Sequence, residues 1–196
     1  MLYNYTLYVD TGVSARIDPF CKGKVMHKEK NNKKMLLFIT HAGMTAALYT
    51  VLTLTIAAFG LANGAVQIRI SEALTVLPYF TPAAVPGLFV GCVLSNILIG
   101  APIWDVIFGS LATLIGAVGT YFLGKYVNKW LSSVPPILAN TLIIPFVLKY
   151  AYGAEDALPF LMLTVGIGEI ISCGVLGSLL LGALEPIKRR IFTNRK

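Results

Sequence analysis

Charge is nearly absent from the long middle of this chain, and that absence restricts its fold more than anything else. Across residues 35–186 the charged side chains are Arg69, Glu72, Asp105, Lys125, Lys129, Lys149, Glu155, Asp156, Glu169 and Glu185; every other charge falls in the two tails. Over the whole chain 13% of residues are charged and 56% are hydrophobic, whereas a soluble domain has about 25% charged residues to cover its surface. The apolar runs are long enough to enter a bilayer whose hydrocarbon core is ~30 Å thick. This is the pattern of an all-α integral membrane protein, with no length left for a separate soluble domain.

The formal net charge of +7 does not point to nucleic acid. The basic residues cluster at 22–34 and 188–196, flanking hydrophobic runs. That is the arrangement expected of cytoplasmic segments, and it forms no groove or stripe. Cys21, Cys92 and Cys173 are widely spaced, and His27 and His41 are isolated, so neither a disulfide framework nor a metal site is expected. The chain has no phosphate-binding loop, no HExxH, no Gly-x-Ser-x-Gly and no Ser/His/Asp set. Neither catalysis nor a cofactor is expected.

Six spans are predicted, at about 36–61, 72–80, 83–99, 105–124, 137–152 and 158–184. Pro78, Pro82 and Pro86-Gly87 argue against one continuous helix through the second and third. Charge supports the division. Placing both tails and the Lys125/Lys129 loop in the cytoplasm requires an even number of crossings between residues 61 and 105. Residues 1–34 are read as a mobile basic cytoplasmic tail, 35–187 as the membrane domain and 188–196 as a second basic cytoplasmic tail. Asn63-Gly64 signals a turn, and residues 67–71 alternate as an extended segment with one polar face. Ser71 is expected to cap the next helix, with Glu72 in its first turn.

Small residues recur every fourth position at Ala42/Ala46/Thr50, Gly116/Thr120/Gly124 and Gly174/Ser178/Gly182, a spacing that lets helices approach closely. For the first stripe, spacing alone leaves two readings open: packing within the bundle, or docking onto a second membrane subunit.

The polar residues gather toward the outer half: Gln67, Arg69, Ser71, Glu72, Trp104, Asp105 and Lys149, with Asn96 about a turn deeper. Glu169 lies near the middle of the last span and is the deepest acid. An intramembrane carboxylate exposed to lipid costs several kcal/mol, about 3 by insertion scales, so each needs a partner, water or a ligand. One reading is a structural network, with Arg69 on Glu72 or Lys149 on Glu169. The other is a cavity that binds a polar small molecule. Lys149 also suits snorkelling to the surface, Asn140 a helix-packing hydrogen bond, and Glu155 and Asp156 a solvated loop.

The strings VQIRISEALTVLPYFTP, PGLFVGCVLSNIL and GAPIWDVIFGSLATLIGA resemble the QueT family over roughly residues 36–186. Members are substrate-binding (S) components of energy-coupling factor transporters, linked to uptake of queuosine or its deazaguanine precursors. The resemblance implies a six-helix S component in the plasma membrane with both termini inside. Its partners would be a transmembrane coupling subunit and two cytoplasmic ATPases. It favours docking on the coupling subunit through Ala42 and Ala46. It implies substrate binding by Gln67, Arg69, Glu72, Asn96, Trp104, Asp105, Lys149 and Glu169. The carboxylates of Glu72, Asp105 and Glu169 would take the donor edge of a deazaguanine, with Asn96 and Gln67 as neutral partners and Trp104 or Tyr79 stacking on the ring. A ligand with an aminomethyl cation would want a second acid. Arg69 would hold the first loop closed through Glu72 or Asp105. The alternatives are an S component for a different vitamin-like ligand, a self-sufficient secondary transporter, and a membrane scaffold without a ligand.

Overall fold

A computed structural model describes residues 19–59 and 69–187. Among them every regular element is helical and no strand forms. The chain divides into two compact units, residues 1–37 and 38–196. In the first, the described residues are the leading turns of α1 (Pro19–Ala58). There Lys33 Nζ and Glu29 Oε1 pair at 2.7 Å, the i,i+4 spacing at which opposite charges face each other. The helix therefore runs through part of the stretch read from sequence as a mobile tail. The rest of that tail, the loop holding Asn63-Gly64, and the basic tail at 188–196 lie outside the described residues.

The second unit is built around a ten-residue 3₁₀ helix, Ile70–Tyr79. Runs of this length are uncommon for that geometry. Every residue from Ser71 to Pro78 is buried. α2 (Ala84–Leu98), α3 (Ile103–Tyr126) and α6 (Gly177–Leu184) surround it, and Tyr49, Leu74, Val76, Leu88, Ala117 and Leu181 form the core around it. Lipid tails are as apolar as these side chains, so close packing rather than removal from water selects the arrangement. Ser71 does not act as the expected cap. The 3₁₀ helix starts after Arg69 with no side-chain cap, and Ser71 Oγ instead accepts a hydrogen bond from Thr53 Oγ1 at 2.8 Å, tying the segment to α1.

Glycine lets helices close on one another at defined points. A Cβ added to Gly87 would stand 2.6 Å from the Ala42 carbonyl oxygen, and one on Gly91 would stand 2.9 Å from that of Ala46. The small-residue stripe of α1 thus meets a glycine stripe on α2. Gly43, Met44, Ala47 and Leu48 make up the exposed face of α1 beside it. On α3, Gly116 and Gly119 receive Pro136 and Pro135, the residues that open α4 (Val134–Tyr150). The turns after α2 and α4 contain Gly100 and Gly153, with φ of 73° and 69°, a left-handed backbone that favours glycine.

The last span is α5 (Leu158–Glu169), a π-helical stretch Ile170–Leu176, and α6. In an α-helix four residues advance about 400°, so a row of every fourth residue drifts around the axis by roughly 40° per step. Yet Val165, Glu169, Cys173, Gly177 and Leu181 are all buried. The wider turn of the π stretch cancels part of the drift and keeps one row facing inward. This also explains why the seam is not the predicted Gly174/Ser178/Gly182 stripe. Gly177 packs on Val76, with an added Cβ 2.9 Å from its Cγ1, while Gly182 faces open space.

Among the described residues, four helical stretches are long and apolar enough to cross a membrane: Asn31–Ala58, Ile103–Tyr126, Lys129–Tyr150 and Leu158–Leu184. The Ile70–Tyr79 helix and α2 are shorter, about 20 Å each at ~2.0 and ~1.5 Å rise per residue.

Candidate functional site

Two polar layers lie along α3. Asp105, in its first turn, is 2% exposed. Its Oδ2 accepts from Arg69 Nη2 at 3.4 Å and from Tyr152 Oη at 2.7 Å, and Asn96 Nδ2 donates to its backbone carbonyl at 3.3 Å. Gly109, one turn on, leaves room for this carboxylate, since a Cβ there would stand 2.7 Å from Oδ1. Burial works against the Arg69 charge, but the adjoining Asp105 carboxylate outweighs it and pushes the guanidinium pKa up. Tyr152, just past α4, is pushed up as well, by burial first and then by Asp105, so it remains a neutral donor.

Thr113 marks the second layer, about 12 Å further along α3 at ~1.5 Å per residue. Glu72 is completely buried here. Its Oε1 accepts from Tyr49 Oη and, at 3.3 Å, from Thr113 Oγ1, while its Oε2 has no hydrogen-bond partner. Thr75 Oγ1 and Cys173 Sγ donate to the Glu72 carbonyl at 2.6 and 3.4 Å. Cys173 also reaches Glu169 Oε2 at 3.2 Å, a contact made by the π stretch that carries Cys173. Ligand atoms of Glu72, Glu169 and Cys173 all lie within 4.8 Å of one another, and all three residues are buried. The Asn140 amide on α4 faces both carboxylates. Two acids therefore meet among neutral donors alone. Such a group holds a proton, a metal ion or an organic cation, and Glu72, Glu169 and Cys173 are the residues that would ligate a metal.

The structure brings together Arg69, Asp105 and Asn96 in one layer and Glu72 with Glu169 in the other. The ion pair is Arg69–Asp105, rather than Arg69 with Glu72. Lys149 does not reach Glu169. It donates to the backbone carbonyls of Glu155 and Asp156 at 3.4 and 2.9 Å. Trp104 is 56% exposed and stacks on Phe108 with ring centroids 6.0 Å apart, outside both layers. Gln67 lies outside the described residues. Tyr49, Thr113 and Tyr152 were not singled out from the sequence, and Cys173, read there as an isolated cysteine, joins Glu72 and Glu169 in the fold. For Tyr49 a signal existed: a tyrosine deep in a span, away from the interfacial belt, needs a partner for its hydroxyl.

Long apolar helices packed around buried carboxylates define a multi-pass membrane protein with a polar interior. Residues 39–186 match the family described as QueT transporter, and the chain belongs to that family. It is a protein of the plasma membrane. A curated relative is the "Queuosine precursor transporter QueT" of Lactococcus lactis subsp. cremoris (strain MG1363). It is 36% identical over 78 residues, which are 39% of this chain and 45% of the relative. The chain thus aligns with less than half the length of that relative. No solved structure matches the chain.

Proposed function

We propose that this chain is the substrate-capture subunit of an ATP-driven energy-coupling factor transporter, binding queuosine or a deazaguanine precursor from outside the cell. The observation that carries the reading is the buried Glu72–Glu169 pair, with one carboxylate oxygen lacking any hydrogen-bond partner. Two adjacent buried acids cannot both be ionised cheaply, so the pair is suited to hold a proton or to receive the donor edge of a ligand. The family, and the substrate in the relative's name, supply the ligand class. The Arg69–Asp105–Tyr152 layer lies toward the outer face in this reading.

The Ile70–Tyr79 helix and α2 act as two short crossings. This makes six in all, with both termini in the cytoplasm, as the distribution of Lys and Arg requires. The chain is non-catalytic. It docks on a transmembrane coupling subunit, and two cytoplasmic ATPases hydrolyse ATP. Ala42 and Ala46 approach α2, so docking uses the neighbouring exposed face of α1: Gly43, Met44, Ala47 and Leu48.

The test is ligand-dependent thermal stabilisation of the purified chain, with deazaguanines compared against vitamins. Deazaguanines raise the unfolding temperature and vitamins do not. Glu72→Ala and Glu169→Ala abolish the shift. Stabilisation by a vitamin alone, or shifts undiminished in both variants, would overturn the assignment.

A further inference from the structure

We infer that Glu72, Glu169 and Cys173 form a binding site for a thiophilic divalent cation of the zinc class, and that this cation and the organic ligand exclude each other there. The metal site stands on its own geometry, and the exclusion rests on the substrate reading above.

Three elements supply the donors: Glu72 comes from the 3₁₀ helix, Glu169 from the end of α5 and Cys173 from the π stretch. All three are buried, with one ligand atom of each within 4.8 Å of the others. Zinc holds carboxylate oxygens at about 2.0–2.2 Å and thiolate sulfur at about 2.3 Å, which sets tetrahedral donors roughly 3.5 Å apart. The 3.2 Å from Cys173 Sγ to Glu169 Oε2 is already close to that spacing, and the wider edges of the triangle need contract by only roughly 1 Å.

A second observation is independent of that clustering. Glu72 Oε1 is taken up by the hydroxyls of Tyr49 and Thr113, while Oε2 is buried and has no partner. Ligating carboxylates are themselves held by outer hydrogen bonds of this kind, which leave an oxygen free for the ion. Charge agrees. Among the described residues, the ion pair made by a buried acid is Arg69–Asp105, so a dication would offset the two deep carboxylates. The thiol then selects the metal. Calcium and magnesium take oxygen ligands, and magnesium also demands a near-octahedral set and gives up its water reluctantly. Two carboxylates and a thiol suit a borderline-soft, four-coordinate ion with its fourth position open.

The experiment is isothermal titration of the full chain in lipid nanodiscs with zinc chloride, magnesium chloride and 7-aminomethyl-7-deazaguanine. Zinc is expected to bind more tightly than magnesium by on the order of a hundredfold. Cys173→Ser weakens zinc by about tenfold or more, since losing even an outer partner of a metal ligand costs that much. Cobalt chloride gives a reading that needs no variant: a thiolate-to-cobalt absorption band appears in the unaltered protein, and zinc bleaches it. The band survives Cys21→Ser and Cys92→Ser, which separates the site from the other two cysteines. Zinc at about ten times its dissociation constant lowers the apparent deazaguanine affinity about tenfold. Absence of both saturable zinc binding and the cobalt band would overturn the inference and leave the substrate reading standing. So would zinc affinity undiminished in Cys173→Ser, which would put the ion elsewhere on the chain. A deazaguanine affinity untouched by bound zinc would overturn the exclusion. Zinc binding without any deazaguanine binding would support the metal site and overturn the substrate reading.

Discussion

Tyr49 shows how a single side chain ties the interior together. It is 1% exposed, it stands on α1, and its hydroxyl donates to Glu72 on the 3₁₀ helix. Tyr49→Phe keeps the ring and removes the donor, leaving Glu72 Oε1 with Thr113 alone. A buried acceptor that loses a partner costs about 1–3 kcal/mol, and in membrane bundles such bonds sit toward the low end. The variant is expected to unfold at a lower temperature in detergent while retaining ligand binding. An unchanged unfolding temperature would mean that the contact contributes nothing. The acids themselves were legible in the sequence, because a carboxylate inside an apolar run is conspicuous. Which acid meets which partner was not. Arg69 stands three residues from Glu72 yet pairs with Asp105: it is the extended residue before the 3₁₀ helix, while Glu72 lies within the helix and is fully buried.

At the scale of the helix, the meeting of α1 and α2 is the most exposed to a single change. Gly91→Val places a branched side chain where even a Cβ would stand 2.9 Å from the Ala46 carbonyl. The backbone cannot yield as a flexible side chain would, so the helices must separate. Overpacking of this kind costs about 1–3 kcal/mol. Lower thermal stability in detergent should follow, because the two helices must separate. Gly43→Val is the control, since nothing lies within 4 Å of a Cβ there. Stripe spacing in the sequence correctly marked α1 as a close-approach helix without naming the neighbour. It failed for the last span because residue counting assumes an unbroken α-helical phase, and the π stretch at Ile170–Leu176 changes that phase. The 3₁₀ geometry of Ile70–Tyr79 was equally unreadable, since runs of that length are uncommon and carry no sequence signature.

For the whole molecule, the consequence of the proposed role is dependence on others. Uptake of a labelled deazaguanine by cells making this chain should require the coupling subunit and ATPases, and deleting them should abolish it. A self-sufficient carrier would continue to transport. Of the six spans expected from charge and proline, four correspond to helical stretches long and apolar enough to cross a membrane; the enclosure of the Ile70–Tyr79 helix by its neighbours came only from the fold.

The π stretch has a last consequence for how this sequence tolerates length change. Removing one residue between 170 and 176 lets the stretch revert to a regular α-helix, in which Glu169 and Gly177 stand seven residues apart, about 700°, and so within roughly 20° of one face. Glu169 and Leu181, then eleven residues apart, stay within a similar angle. The wide turn therefore absorbs one residue, and the last helix should accept its loss, whereas an added residue would turn Gly177 and Leu181 toward hydrocarbon.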